Sequence, residues 1–228
     1  MSETGNRARL QVLDGIRRSL RRGELTGAAR DAAEQRLKVP PPGPVVARAR
    51  LPQPDKVALF CQWAEANNAT VARLAPADVP GEVVAYLARN NLPAMAAMAP
   101  SPQLDCYGWS SEPMLSLRRG RGEGGDQVSI TGAFAAIAET GTLVMTSGPD
   151  HPVTLNLLPD THIVVLREGD IVSGYEEVWA KLRARYGKNA MPRTVNTITG
   201  PSRTGDIEQT IELGAHGPRR VHIIVVRD

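Results

Sequence analysis

The sequence predicts an α/β fold, a mainly parallel β-sheet covered by helices on both faces. Two observations carry this expectation. Short β-rich runs recur along the chain: TVARL (70–74), QVSIT (127–131), TLVM (142–145), HIVVL (162–166), VNTIT (195–199) and RVHIIVV (220–226). Segments with helical character, DKVALFCQWAEAN (55–67), DVPGEVVAYLARN (78–90) and GYEEVWAKLRARYG (174–187), fall between several of them. Strands separated by helices do not close tight hairpins, and the helical crossovers bring successive strands in parallel.

The elements follow in order. Leu10, Leu13, Ile16 and Leu20 recur close to the helical period, with Arg17, Arg18, Arg21 and Arg22 between them, so the chain opens with a basic amphipathic helix. A second helix is expected over about Ala28 to Leu37, before the prolines of VPPPGP (Pro40, Pro41, Pro42, Pro44) form a stiff linker. Residues 1–50 therefore read as a helical arm with its linker, and 51–228 as the α/β domain. In that domain Pro80 sits in the first turn of its helix, where its missing N–H costs nothing. Val178 and Leu182 share one face of the helix in GYEEVWAKLRARYG.

Composition removes several function classes. Aromatic residues make up only 4%, so the core must be built from Ala, Val, Leu and Ile. The net charge of +3 is too small to imply nucleic acid, and neither the Arg-rich arm nor LRRGRGEGG carries the aromatics that stack on bases. No apolar run approaches the ~20 residues of a membrane-spanning helix. The opening MSETGNRARLQ lacks a secretory apolar core, and a cytoplasmic protein is expected. Cys61 and Cys106 are the only cysteines, too few for an iron–sulfur cluster, which takes about four thiolates. His151, His162, His216 and His222 show no metal-ligand spacing, and no metal site is expected.

Two glycine motifs resemble phosphate loops. Gly120, Gly122 and Gly125 satisfy G-x-G-x-x-G, but a strand follows where a dinucleotide fold needs a helix, and the segment reads as an Arg-bearing loop. GPSRTGDI has the glycines of a P-loop, Gly200 and Gly205, with Asp206 where the lysine belongs. Read as strand, turn and short helix (VNTIT, GPSRT, DIEQTIELG), it would present free backbone N–H groups to an anion. Ser202, Thr204 or Asp206 would then cap that helix, or Ser202 and the backbone would hold a carboxylate or phosphate.

The stretch AETGTLVM (138–145) places a carboxylate between two apolar runs. If TGAFAAIA is a short helix closed by Gly141, Glu139 lies at its C-terminal end, where the helix dipole disfavours an anion. Such a carboxylate could act as a general acid, base or nucleophile, or it could bridge an arginine. Glu139 is the candidate catalytic residue. The candidate ligand-binding residues are Thr140, Gly141 and Thr142 beside it, Gly200, Pro201, Ser202 and Asp206 in the second turn, and His216 in GAHGP.

AIAETGTLVM, LLPDTHIVVL and ITGPSRTGDIEQTIELGAHGPRRVHIIVV, in that order and spacing, closely resemble the lactate-utilisation protein C family, whose core is the LUD domain. VLDGIRRSL, the Pro-rich linker and DKVALFCQWAEANNATVARL extend the likeness over nearly the whole chain. The resemblance implies a three-layer α/β/α sandwich similar to the ribose-5-phosphate isomerase and CoA-transferase group. It also implies a subunit of L-lactate oxidation to pyruvate that works with iron–sulfur proteins. The chain itself would then hold no redox centre, its partners would carry the clusters, and a small carboxylate or phosphate could be its ligand. The alternative is a stand-alone enzyme of the CoA-transferase or cyclo-ligase type with Glu139 as nucleophile. Glu139 resembles in position the Glu of a CoA-transferase Glu-Asn-Gly turn, with Thr140 replacing the Asn.

Overall fold

The computed structural model of the chain describes residues 3–39, 41, 43, 46–47, 50–187, 190–205 and 211–227. The chain separates into two compact units, Met1–Gly43 and Pro44–Asp228. The first holds α1 (Glu3–Ser19) and α2 (Gly27–Lys38), with Arg17 and Arg18 in the last turn of α1. Within it, Arg17 pairs with Asp14 at 2.8 Å and Arg30 with Glu34 at 2.9 Å, one helical turn apart. Of the linker prolines, Pro40, Pro42 and Pro44 lie outside the described residues.

The second unit runs α3 (Gln53–Ala66), β1 (Thr70–Leu74), α4 (Val79–Arg89), β2 (Met95–Met98), α5 (Pro102–Asp105), β3 (Ser116–Arg119), β4 (Val128–Gly132), β5 (Ala135–Ile137) and β6 (Thr142–Thr146). It continues through α6 (Thr154–Leu157), β7 (Thr161–Arg167), β8 (Ile171–Val172), α7 (Tyr175–Tyr186), β9 (Val195–Ile198), β10 (Arg203–Gly205), β11 (Ile211–Leu213) and β12 (Arg220–Val226). Six strands form a wholly parallel sheet in the order β1-β12-β7-β4-β2-β3. Its central strands are β-branched along their length because both faces are buried. Ile163, Val165, Ile224 and Val226 point to one side, where Val79, Val83, Tyr86 and Leu87 of α4 cover them. Val164, Leu166, Val221, Ile223 and Val225 point to the other, against Val57, Phe60 and Ala64 of α3. The parallel sheet covered by helices on both faces is the expected architecture.

The second face carries more than helices. A four-stranded sheet, β8-β5-β6-β9, lies beside α3, with β5 and β9 antiparallel to β6. Leu143, Met145 and Ala136 face the parallel sheet; Ala135, Ile137 and Val144 face outward, where Val178 and Leu182 of α7 cover them. Two local expectations change here. GAFAAIA is the end of β4 followed by β5, not a helix: its apolar residues alternate between the two faces, and both faces are covered. The described part of DIEQTIELG is likewise strand where a helix was expected. Ile211–Leu213 pairs with Arg203–Gly205 as a two-stranded antiparallel ribbon, and residues 206–210, Asp206 among them, lie outside the described residues.

Among the described residues, no helix is long and apolar enough to cross a membrane.

Candidate functional site

The order of strands in the parallel sheet has one reversal. From β2 the chain proceeds outward to β3, then returns to β4 and continues through β7 to β12 on the other side. The crossovers leaving β2 and β4 therefore diverge, and a crevice opens between their carboxyl ends. In open α/β sheets ligands bind at such a switch point. A cleft of about 610 Å³ lies there, within the range of ligand sites. Ser101 and Gln103 follow β2, while Gly132 ends β4 and Ala133 and Phe134 follow it. Ser147 and His151 follow β6, Asp170 follows β7, and Lys181, Arg185 and Tyr186 come from one face of α7.

The charges in this cleft are held in place. Lys181 Nζ donates to Asp170 Oδ1 at 2.9 Å, and Arg167 Nε donates to Asp170 Oδ2 at 3.0 Å. Lys181 Nζ also stands 5.9 Å from the centre of the Phe134 ring. Among the described residues Asp170 engages one ammonium proton, which leaves two for a ligand. Arg185, four residues on, projects from the same side of α7. The Gln103 side chain lies over Gly132, 3.3 Å from where a Cβ would stand.

Three imidazoles, one lining the cleft and two at the amino-terminal parts of β7 and β12, have their pKa values lowered by burial. His151 Nε2 lies 3.1 Å from Asn156 Oδ1. Burial pushes the His151 pKa below its ordinary value, against the opposing pull of the Asn156 contact. His162 is fully buried; its Nε2 lies 2.7 Å from Thr131 Oγ1, and its Nδ1 has no hydrogen-bond partner among the described residues. Burial, reinforced by nearby His151, drives its pKa down to about 3. His222 packs flat on Tyr86 with ring centres 4.0 Å apart, and its Nδ1 meets Thr70 Oγ1 at 2.8 Å. Its Nε2 lies 3.3 Å from Glu82 Oε1. Burial lowers the His222 pKa and outweighs Glu82, which raises it.

The residues singled out from sequence gather elsewhere. Gly141 has a positive φ of 65°, and a Cβ there would stand 2.4 Å from the Ala64 backbone N. Gly200, with φ of 73°, would bring a Cβ to 2.0 Å from the Asn67 carbonyl oxygen. Both turns therefore press on the last turn of α3, which leads into the amino end of β1. Pairing of Leu143 with Ile198 brings their flanking threonines together: Thr142 Oγ1 lies 2.7 Å from Thr140 Oγ1 and 2.8 Å from Thr199 Oγ1. Asn67 Nδ2 donates to the carbonyls of Trp63, at 2.7 Å, and Thr140, at 3.4 Å. Pro201 is buried beside Gly200. Ser202 and His216 meet through the His216 backbone N–H, which donates to Ser202 Oγ at 3.2 Å just before β12. These contacts lie at the amino ends of β1 and β12, whereas the cleft opens at carboxyl ends. VNTIT belongs to the smaller mixed sheet, so the ligand rule for parallel strands does not apply to its end.

Glu139 occupies a third position. Its backbone N–H donates to the Ser173 carbonyl at 3.2 Å, and its carboxylate lies over Gly174, the residue that opens α7. With no helix in GAFAAIA, Glu139 sits beside a helix N-terminus rather than at a C-terminus, and the dipole favours the anion.

Two other features bear on ligands. Gly122 is tied down, its N–H donating to Thr154 Oγ1 of α6 at 2.9 Å, and Arg118 of β3 pairs with Asp126, so the GRGEGG loop is anchored at both sides. A hollow of about 650 Å³ within the arm is walled by the second half of α1 and the turn after it, including Asp14 and Arg17, which pair with each other. Among the described residues, no group of three or more His, Cys, Asp or Glu is arranged to hold a metal ion. Cys61 is half-buried and Cys106 exposed.

Fold and cleft together define an α/β protein with a ligand-sized crevice at the switch point of its parallel sheet. Residues 124–226 match the LUD domain, and a crystal structure of a DUF162 family protein from Deinococcus radiodurans superposes with a TM-score of 0.57. That likeness covers 77% of this chain and 99% of the other at 24% identity, and it shows the fold. The lactate utilization protein C of Deinococcus radiodurans is 34% identical over 167 residues, 70% of this chain and 74% of that protein. The chain belongs to the lactate-utilisation protein C family. The protein of the same name from Geobacillus thermodenitrificans is 33% identical over 132 residues, 57% of this chain and 53% of that protein. Against that relative the chain spans about half the length.

Proposed function

We propose that this chain serves lactate utilisation in the cytoplasm, as a subunit in the oxidation of L-lactate to pyruvate. The observation that carries this reading is its 34% identity to a lactate utilization protein C across 70% of the chain. The oxidation releases two electrons and two protons, and an acceptor must take them. Two cysteines, one on α3 and one just after α5, fall short of the roughly four thiolates of an iron–sulfur cluster. The electrons are therefore assigned to iron–sulfur partner proteins, and this chain contributes the cleft at the carboxyl edge of its sheet.

Deleting the gene and scoring growth tests the role. Growth should fail on L-lactate and persist on pyruvate, and the gene supplied in trans should restore it. Tagged protein purified from lactate-grown cells should co-elute with Cys-rich iron–sulfur proteins. Normal growth of the deletion strain on L-lactate overturns the reading.

A further inference from the structure

The cleft is large for a three-carbon acid. Lactate has six non-hydrogen atoms, whereas a site of about 610 Å³ lies in the range that encloses drug-sized molecules. Its walls have two chemical characters. Lys181 and Arg185 stand one turn apart on α7, and an arginine fork with a neighbouring ammonium suits a phosphate. Phe134 and Tyr186 also line the cleft, each half-buried with part of its ring packed into the hydrophobic cluster under α7. Rings held this way offer fixed faces to a planar ligand. Ser101, Gln103 and Ser147 add neutral hydrogen-bonding groups. Two acids line the cleft as well: Asp170 is neutralised by Arg167 and Lys181, and Asp150 is exposed at the rim.

We propose that the cleft at the β2/β4 switch point binds an aromatic phosphate of nucleotide size, its phosphate on Lys181 and Arg185 and its ring against Tyr186 and Phe134. The proposal does not rest on the metabolic role and stands or falls separately from it. The last-turn position of Arg185 also complements the α7 dipole, but that accounts neither for the paired lysine nor for the aromatic walls.

Calorimetric titration of the full chain tests it, with AMP and flavin mononucleotide as aromatic phosphates, ribose 5-phosphate and adenosine as half-ligands, and L-lactate. One-to-one binding of AMP or flavin mononucleotide is expected, and the two arms tell which ring the cleft prefers. Each half-ligand should bind about tenfold more weakly or worse. Arg185→Ala, at an exposed position, and Lys181→Gln should each weaken the aromatic phosphate by about tenfold. Tyr186→Leu should weaken AMP or flavin mononucleotide and leave ribose 5-phosphate unchanged, while Tyr186→Phe retains affinity. Circular dichroism melting of each variant confirms folding. Absence of binding by both aromatic phosphates, or binding unmoved by Arg185→Ala and Lys181→Gln, overturns the proposal. Ribose 5-phosphate binding as tightly as AMP and flavin mononucleotide overturns it too, as does binding of L-lactate alone.

Discussion

The Glu139 carboxylate lies over Gly174: a Cβ on Gly174 would stand 3.0 Å from Glu139 Oε1. Gly174 is the N-cap of α7, so the carboxylate faces the positive end of the helix that carries Lys181 and Arg185. Glu139→Gln keeps the size and removes the charge. It should lower stability by about 0.3–1 kcal/mol, the opposite sign from an anion at a helix C-terminus. Urea midpoints at low and high salt check this, because the charge contribution shrinks with screening. A more stable Glu139→Gln protein would contradict the assignment.

Gly200 cannot accept a side chain. Its φ of 73° disfavours any Cβ, and the Asn67 carbonyl occupies the space. Gly200→Ala should cost about 2–3 kcal/mol through backbone strain and displacement of α3. Gly124→Ala, with nothing within 4 Å of the new methyl, should stay within about 0.5 kcal/mol. Thermal melting of the pair shows whether the loss is specific to the α3 contact. Loss of ligand binding in Gly200→Ala would by itself say nothing of an anion site.

Thr142 is buried with its hydroxyl between those of Thr140 and Thr199. Thr142→Val keeps the shape and breaks both contacts, at about 1–2 kcal/mol. Thr142→Ser retains the hydroxyl and should recover part of that loss. A Thr142→Val protein as stable as the parent, with Thr142→Ser destabilised, would show that the methyl, not the hydroxyl chain, holds the two turns together.

The buried histidines make stability depend on pH. His162 has its pKa depressed to about 3, and those of His151 and His222 are also lowered. Between those values and the unfolded pKa of about 6.5, the unfolded chain binds more protons. The stabilisation is fully present above about pH 6.5 and is lost as pH falls toward the folded values. Within that window the slope is about 1.4 kcal/mol per pH unit for each histidine. Urea midpoints should therefore drop from pH 7 to pH 5, and His162→Gln should flatten the profile. An unchanged slope in that variant would remove His162 from the account.

Strongly β-branched and strongly amphipathic segments declared themselves in the linear chain. HIVVL and VHIIVV have no competing helical preference, and α3, α4 and α7 follow from their apolar spacing and from Pro80. Their alternation was enough for a parallel sheet covered on both faces. Weak segments took their structure from their neighbours. MAAM and AAI are Ala- and Met-rich, without strong strand propensity, and became β2 and β5 only because adjacent strands pair with them. DIEQTIEL looked helical, yet Ile211–Leu213 pairs with Arg203–Gly205. Because MAAM carries no strand signature, neither the reversal of strand order beside β2 nor the cleft it creates is written in the linear chain. Ser101, Gly132, His151, Asp170, Lys181 and Arg185 are scattered over the chain and follow no motif. Only the assembled sheet brings them together, because strand pairing and crossovers are non-local and leave no short-range pattern in sequence.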